Sequence, residues 1–287
     1  MIKKLALSLV CLSAAVAATP AFADRAIGTE WFEVEGGAVR LIRASTPEDD
    51  GTYKAGLEFQ LEPGWHTYWR YPGEAGIPTE ANFNGSTNLA NAELLFPAPK
   101  RYSDGFSTSL IYDGNVILPL KLQRQSDART TVLNMTVTFG VCQHICIPEQ
   151  QELSLVLPRH TTEDAEADAI IEAAFAKLPA QANGNAPVTE IAVVPTDSTP
   201  VITFSAPVST TESTAYDLFV EGPEGSYNSV PKRLESSDHI ARWQLPLTGF
   251  PKDLQELDLR LTLITPQGAV EQEAALSLPP RAKEKRS

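Results

Sequence analysis

The sequence is short of cysteine, methionine and positive charge, and beyond its N-terminus it has no long apolar run. Only Cys11, Cys142 and Cys146 occur in 287 residues. That excludes a scaffold stapled by many disulfides, and a chain of this length can build full cores without them. Two methionines, Met1 and Met135, leave a dedicated copper carrier short of soft ligands. Lys and Arg total 23 against 36 Asp and Glu, a formal net charge of −13. Such a surface repels phosphate backbones and anionic headgroups, so nucleic acid is not an expected partner. No later segment has the ~20 apolar residues that a membrane span needs, so direct membrane insertion is not expected. With 43% hydrophobic and 21% charged residues, the composition is that of a folded chain and excludes wholesale disorder.

What is present at the N-terminus reads as a leader. Lys3 and Lys4 precede an apolar stretch from Leu5 to Ala18, and Ala21-Phe22-Ala23 has the small-x-small pattern of a cleavage site. Residues 1–23 are expected to be a cleaved signal peptide, with the mature chain starting at Asp24 and exported to a periplasm. A lipoprotein would need Cys11 as its lipidated residue. Cys11 lies within the apolar stretch, and bulky Val10 precedes it where a small residue is wanted. The mature chain keeps one cysteine pair, Cys142 and Cys146.

Twenty-two prolines scattered among Val, Leu and Thr runs point to short strands and turns. Residues 31–61 alternate apolar and polar, broken by a turn at Glu48-Asp49-Asp50-Gly51. Trp65, Tyr68, Trp69 and Tyr71 follow between two Pro-Gly pairs. Side chains alternate along a strand, so these four rings cannot share one face and some must meet another surface. Tyr112-Asp113-Gly114-Asn115 is expected as a hairpin turn. Leu133, Met135, Val137, Phe139 and Val141 alternate strictly with smaller or polar residues and run directly into Cys142.

The segment 161–178 has helical spacing at Ile170, Ile171, Ala174, Phe175 and Leu178, with Thr161 or Thr162 as N-cap. Residues 179–187 read as linker. Strand patterns resume at 191–194, 201–204, 216–220, 241–245, 257–264 and 274–278. The expectation is all-β: two tandem β-sandwiches, residues 24–160 and 188–280, joined by a helix and linker at 161–187, with a frayed tail at 281–287.

On a straight strand Cys142 and Cys146 would stand ~13 Å apart, too far for a disulfide. A tight loop at Gln143–Ile145 would bring the sulfurs together at the end of a hairpin. Three readings stay open. A structural staple closing so small a loop contributes only ~2 kcal/mol. A Cu(I) or Zn site would use Cys142, His144 and Cys146, the basis of a copper-tolerance role. A redox pair would pass electrons through mixed disulfides.

The string Phe139-Gly140-Val141-Cys142-Gln143-His144-Ile145-Cys146-Ile147-Pro148-Glu149 resembles the signature of the DsbD N-terminal domain family, including the N-terminal regions of ScsB-type reductases. Gly64–Gly73, Gly76-Ile77-Pro78-Thr79 and Phe96-Pro97-Ala98-Pro99 extend the resemblance over about residues 30–160. The resemblance implies an immunoglobulin-like sandwich that acts as a thiol-disulfide oxidoreductase without a cofactor. Cys142 and Cys146 would be the redox pair, taking electrons from a membrane-embedded thiol reductase and giving them to periplasmic thioredoxin-like proteins. It further implies a cap loop over the pair, here Arg101–Phe106, with Phe106 as the cap and Asp104 its neighbour. His66 and Tyr68 match the aromatic positions beside the cysteines. Family members also carry a membrane-spanning part and a thioredoxin-like part, which this sequence lacks, so the electron donor is expected to be a separate protein. A protonated His144 or His66 would favour the thiolate.

Overall fold

The computed structural model describes residues 28–159, 163–197, 199–209, 214–234 and 239–279. The leader 1–23, the caps proposed at Thr161 and Thr162 and the tail 281–287 lie outside those residues.

The first unit contains eleven strands: β1 (Phe32–Val34), β2 (Gly37–Arg43), β3 (Thr52–Leu61), β4 (His66–Gly73), β5 (Glu80–Asn82), β6 (Leu89–Leu94), β7 (Lys100–Ser103), β8 (Thr108–Asp113), β9 (Val116–Arg124), β10 (Thr131–Cys142) and β11 (Cys146–Leu157). One sheet runs β1-β2-β3-β9-β6 and the other β11-β10-β4-β8-β7, with β5 beside β10. The two inner faces share one core. On β10 the alternation read from sequence turns Leu133, Met135, Val137, Phe139 and Val141 inward, all essentially inaccessible. Phe139 meets Phe59 of the opposite sheet edge-to-face, ring centroids 5.1 Å apart.

The turn at Tyr112–Asn115 does not close a hairpin. β8 pairs with β4 and β7, while β9 pairs with β3 and β6 in the other sheet. The turn carries the chain between layers. Gly114 takes the positive φ of 69° needed there, and its N–H donates to the Trp65 carbonyl. Turn chemistry marks where a chain reverses; which strand lies alongside is decided by which face is buried.

The helix α1 (Ala165–Phe175) is shorter than its sequence pattern. Its N-cap is Asp164, whose carboxylate accepts from the N–H groups of Glu166 and Ala167. It is not a free spacer. Ile171 packs with Ile42 and Ala44 on the outer face of the first sheet. Asp168 accepts from the Ser45 N–H at 2.7 Å and the Ser45 hydroxyl at 2.6 Å.

The second unit is built from β12 (Ala180–Gln181), β13 (Glu190–Val194), β14 (Val201–Pro207), β15 (Asp217–Glu221), β16 (Lys232–Arg233), β17 (Ile240–Pro246), β18 (Glu256–Thr265) and β19 (Gly268–Ser277). Its sheets run β12-β19-β18-β15 and β13-β14-β17-β16, closing on a core with Phe204, Trp243, Leu245 and Leu261. The segment expected as linker contributes β12, which pairs parallel with β19. The all-β expectation of two tandem immunoglobulin-like sandwiches holds.

If α1 is part of the first core's shell, Ile171→Ala should cost about 2–4 kcal/mol through cavity formation. Asp168→Ala should cost about 1–3 kcal/mol by leaving two Ser45 donors unpaired. Urea unfolding of the full chain measures both; values near zero would make the helix a mere tether.

Candidate functional site

β10 and β11 form one uninterrupted antiparallel hairpin from Thr131↔Leu157 to Cys142↔Cys146. The two cysteines are therefore cross-strand neighbours on either side of Gln143, His144 and Ile145. Directly opposed residues in such a ladder have Cα atoms ~4.5–5.5 Å apart, inside the disulfide range. Both are free thiols, Cys142 buried and Cys146 exposed.

β4 supplies the wall. His66 lies opposite Cys142 across the β4–β10 pairing, and Thr67 donates its hydroxyl proton to the Gly140 carbonyl at 2.8 Å. Tyr68, on the same face as His66, places its hydroxyl 2.9 Å from Cys146 Sγ. Tyr68, Ile111 and Cys142 make a small buried cluster. Two glycines make room for the Tyr68 ring. A Cβ on Gly140 would stand 3.2 Å from the ring and 2.8 Å from Ile77. One on Gly76, whose φ is +125°, would stand 2.3 Å from the ring.

Burial acts on the shielded thiol and on the two rings beside it. Burial, seconded by the bond with Cys146, pushes the Cys142 pKa up to about 11, against a smaller lowering by the Tyr68 hydroxyl. Burial also raises the Tyr68 pKa, and the bonds to Cys142 and Cys146 add to the rise. Tyr68 thus remains a phenol that can donate to a sulfur anion. His66 is only 6% exposed, and burial lowers its pKa below the ordinary value while the nearby Asp113 charge pulls weakly the other way. Burial thus works against the protonated His66 that would favour a thiolate, and it favours the thiol form of Cys142.

The other sequence candidates sit around this pair. His144 is exposed at the tip of the loop. Among the described residues no group of three or more His, Cys, Asp or Glu side chains gathers as a metal site, so the Cys142–His144–Cys146 ligand set is not assembled. Asp104 accepts from the N–H groups of Phe106 and Ser107 at 2.8 Å, shaping the loop between β7 and β8. Its charge reaches the pair and adds slightly to the rise at Cys142. Phe106 stands 99% exposed, so in this conformation it neither covers the cysteines nor belongs to the core.

Tyr102 was not singled out by sequence reasoning. Its ring lies 5.1 Å from His66, which also meets Tyr68 edge-to-face at 5.3 Å. Its position four residues before Phe106 was the one available signal.

The geometry sets one accessible and one shielded sulfur side by side at the end of a hairpin. Residues 39–158 match the family described as "Thiol:disulfide interchange protein DsbD, N-terminal". The chain carries a DsbD N-terminal-like, thiol:disulfide interchange domain. A search of the curated proteins found no match. Among solved structures, the N-terminal periplasmic domain of ScsB from Proteus mirabilis shares the fold with TM-score 0.68 at 19% identity. That alignment covers 88% of this chain and 99% of that one. The reduced N-terminal domain of Neisseria meningitidis DsbD aligns with TM-score 0.26 at 12% identity, over 42% of this chain and 85% of that one.

A histidine whose folded pKa is depressed gives stability that is fully present above its unfolded value, about 6.5, and lost as pH falls through the folded value. Wild type should therefore lose stability as pH falls below about 6.5, and His66→Asn should remove that slope. Urea midpoints at fixed pH values test this; parallel profiles would refute a buried neutral His66. Tyr68→Phe removes the hydroxyl that lies beside Cys146 Sγ and can donate to it as a thiolate, so alkylation of Cys146 at neutral pH should slow several-fold. An unchanged rate would leave Tyr68 as packing alone.

Proposed function

We propose that the protein relays reducing equivalents through Cys142 and Cys146, between a membrane-embedded thiol reductase and thioredoxin-like proteins. The observation that carries this reading is the asymmetry of the pair: adjacent in register, with Cys146 open to a partner and Cys142 shielded at 7% exposure. A bare staple needs no such opening.

In the oxidised form, the thiolate of a reduced partner attacks Cys146 Sγ. The Cys142–Cys146 bond breaks, a mixed disulfide forms, and Cys142 leaves as a thiolate that takes up a proton. The partner's second thiol, after losing its proton, attacks the mixed disulfide. The partner ends as a disulfide and the chain as a dithiol, two electrons richer. Delivery runs the same steps in reverse: Cys146 attacks the acceptor's disulfide, and Cys142 loses its proton and resolves. Tyr68, fixed as a phenol, can donate to the sulfur at position 146 when it carries charge. No cofactor enters these steps. Burial holds Cys142 as a thiol rather than a thiolate, which supports a donor role.

Ile145, 75% exposed at the loop tip, and Phe106 on the neighbouring loop offer a partner apolar contact. In this reading the outward Phe106 is the open position of the loop at 104–107, which can close over the pair. The exchange module is residues 24–160, and the leader-like pattern of residues 1–23 supports a periplasmic setting, the compartment named for the ScsB domain.

A redox titration read by mass after alkylation tests the proposal. A relay should equilibrate with a thioredoxin-like dithiol at a potential above about −300 mV, whereas a structural disulfide lies below it. Loss of so small a loop should remove only ~2 kcal/mol, so the dithiol form should stay folded. Cys142→Ala should trap mixed disulfides through Cys146, and Cys146→Ala should trap few. A potential far below that range, or no exchange with such partners, would reduce the pair to a staple.

A further inference from the structure

We propose that the second sandwich is a clamp on the redox site, with Arg101 and Arg70 as the positioning residues through which it acts. This rests on the exchange reading only in calling the pair functional; the clamp itself is a statement about access to Cys142.

Two strands carry the aromatic wall around the cysteines: β4 with His66 and Tyr68, and β7 with Tyr102. Both are held from the far side by the second unit. β7 is four residues long, exposed throughout, and pairs within its sheet only with β8. A short edge strand with so little burial is an element that opens readily by itself. Arg101 fixes it. Its Nε and Nη2 grip the two carboxylate oxygens of Asp217 at 2.9 and 2.7 Å, and Nη2 also donates to the Pro231 carbonyl at 3.0 Å. The guanidinium lies 5.6 Å from the Phe219 ring. The next residue, Tyr102, is the one packed against His66, and His66 is the cross-strand neighbour of Cys142. A continuous line of contacts thus runs from Asp217 on β15 to the shielded sulfur.

β4 is anchored in the same way directly after Tyr68. Its register with β8 shifts between Tyr68 and Gly73, which turns successive side chains toward the second unit. Trp69 meets Phe219 with centroids 6.0 Å apart. Arg70 forms a bidentate pair with Glu221 at 2.9 and 2.6 Å and also donates to Glu271. Burial disfavours the Arg70 charge, but the bonds to the two carboxylates outweigh it and keep the guanidinium charged. Tyr71 donates to Asn228 Oδ1 at 2.6 Å and accepts from the Asn228 N–H at 2.9 Å. Phe219 and Val230 of the second unit are buried within the first unit's core. Arg forks are the side chains suited to such fixed two-point contacts. A tether without a positioning role would not converge on the two strands that line the thiols.

The test uses the full chain in a Cys146→Ser background and measures alkylation of the shielded Cys142. The Arg101–Asp217 pair lies near the surface, so Asp217→Asn should fold. It should speed alkylation of Cys142 by roughly tenfold, as expected when a bidentate ionic contact holding a local opening is lost. Arg101→Lys keeps the charge and loses the fork, and should give an intermediate rate. Thermal unfolding should shift little in either variant. Rates within about twofold of the parent in both would overturn the clamp. Faster alkylation in a protein that never exchanges with a thioredoxin-like partner would keep the clamp and remove the relay.

Discussion

The register of the β10–β11 hairpin is the constraint on which the site depends. The pairing runs without a bulge from Thr131↔Leu157 to Cys142↔Cys146. The inward row of Leu133, Met135, Val137, Phe139 and Val141 locks it, because a slip by one residue would turn that row away from the core. The same slip would set Cys142 opposite Ile147 and break the cysteine pair. Core packing therefore fixes the sulfurs, and the three-residue loop only has to close. A site that borrows its precision from a core in this way can keep its shape in both redox states.

Within that frame the two sulfurs have different surroundings, and the difference comes from their places in the sheet. Cys142 ends a central strand, flanked by β4 and covered by Tyr68 and Ile111. Cys146 begins the edge strand β11 and faces solvent. Desolvation then raises the proton affinity of Cys142. The pair is thereby asymmetric, one sulfur open to solvent and the other shielded.

The second sandwich changes how the first should be regarded. The ring-rich segment of β4 divides its side chains between two tasks. Tyr68 and His66 address the cysteines; Trp69, Arg70 and Tyr71 address Phe219, Glu221, Glu271 and Asn228. Arg70 sits between two carboxylates in a partly buried cluster, an arrangement costly to leave incomplete. The junction is thus more specific than a flexible linker would give, and the two units share apolar surface as well as ion pairs.

The sequence by itself determined the local patterns. Period-two alternation placed the strand running into Cys142, the x3 spacing required a tight reversal for the two sulfurs to meet, and the four rings of residues 65–71 required a second surface. Each is a statement about neighbours along the chain, where geometry is set by a few dihedrals. Tertiary structure decided what depends on distant partners. It sent β8 and β9 to different sheets despite a turn between them, because burial chose their neighbours. It made a strand of Ala180–Gln181 by offering the edge of β19. It turned Phe106 to solvent and brought Tyr102 onto His66, and it joined Arg70 to Glu271 across 201 residues. Such pairs leave no trace in local propensity, since an arginine on a strand looks the same whether it meets water or two buried carboxylates. Only the packing of one sandwich against the other supplies those partners.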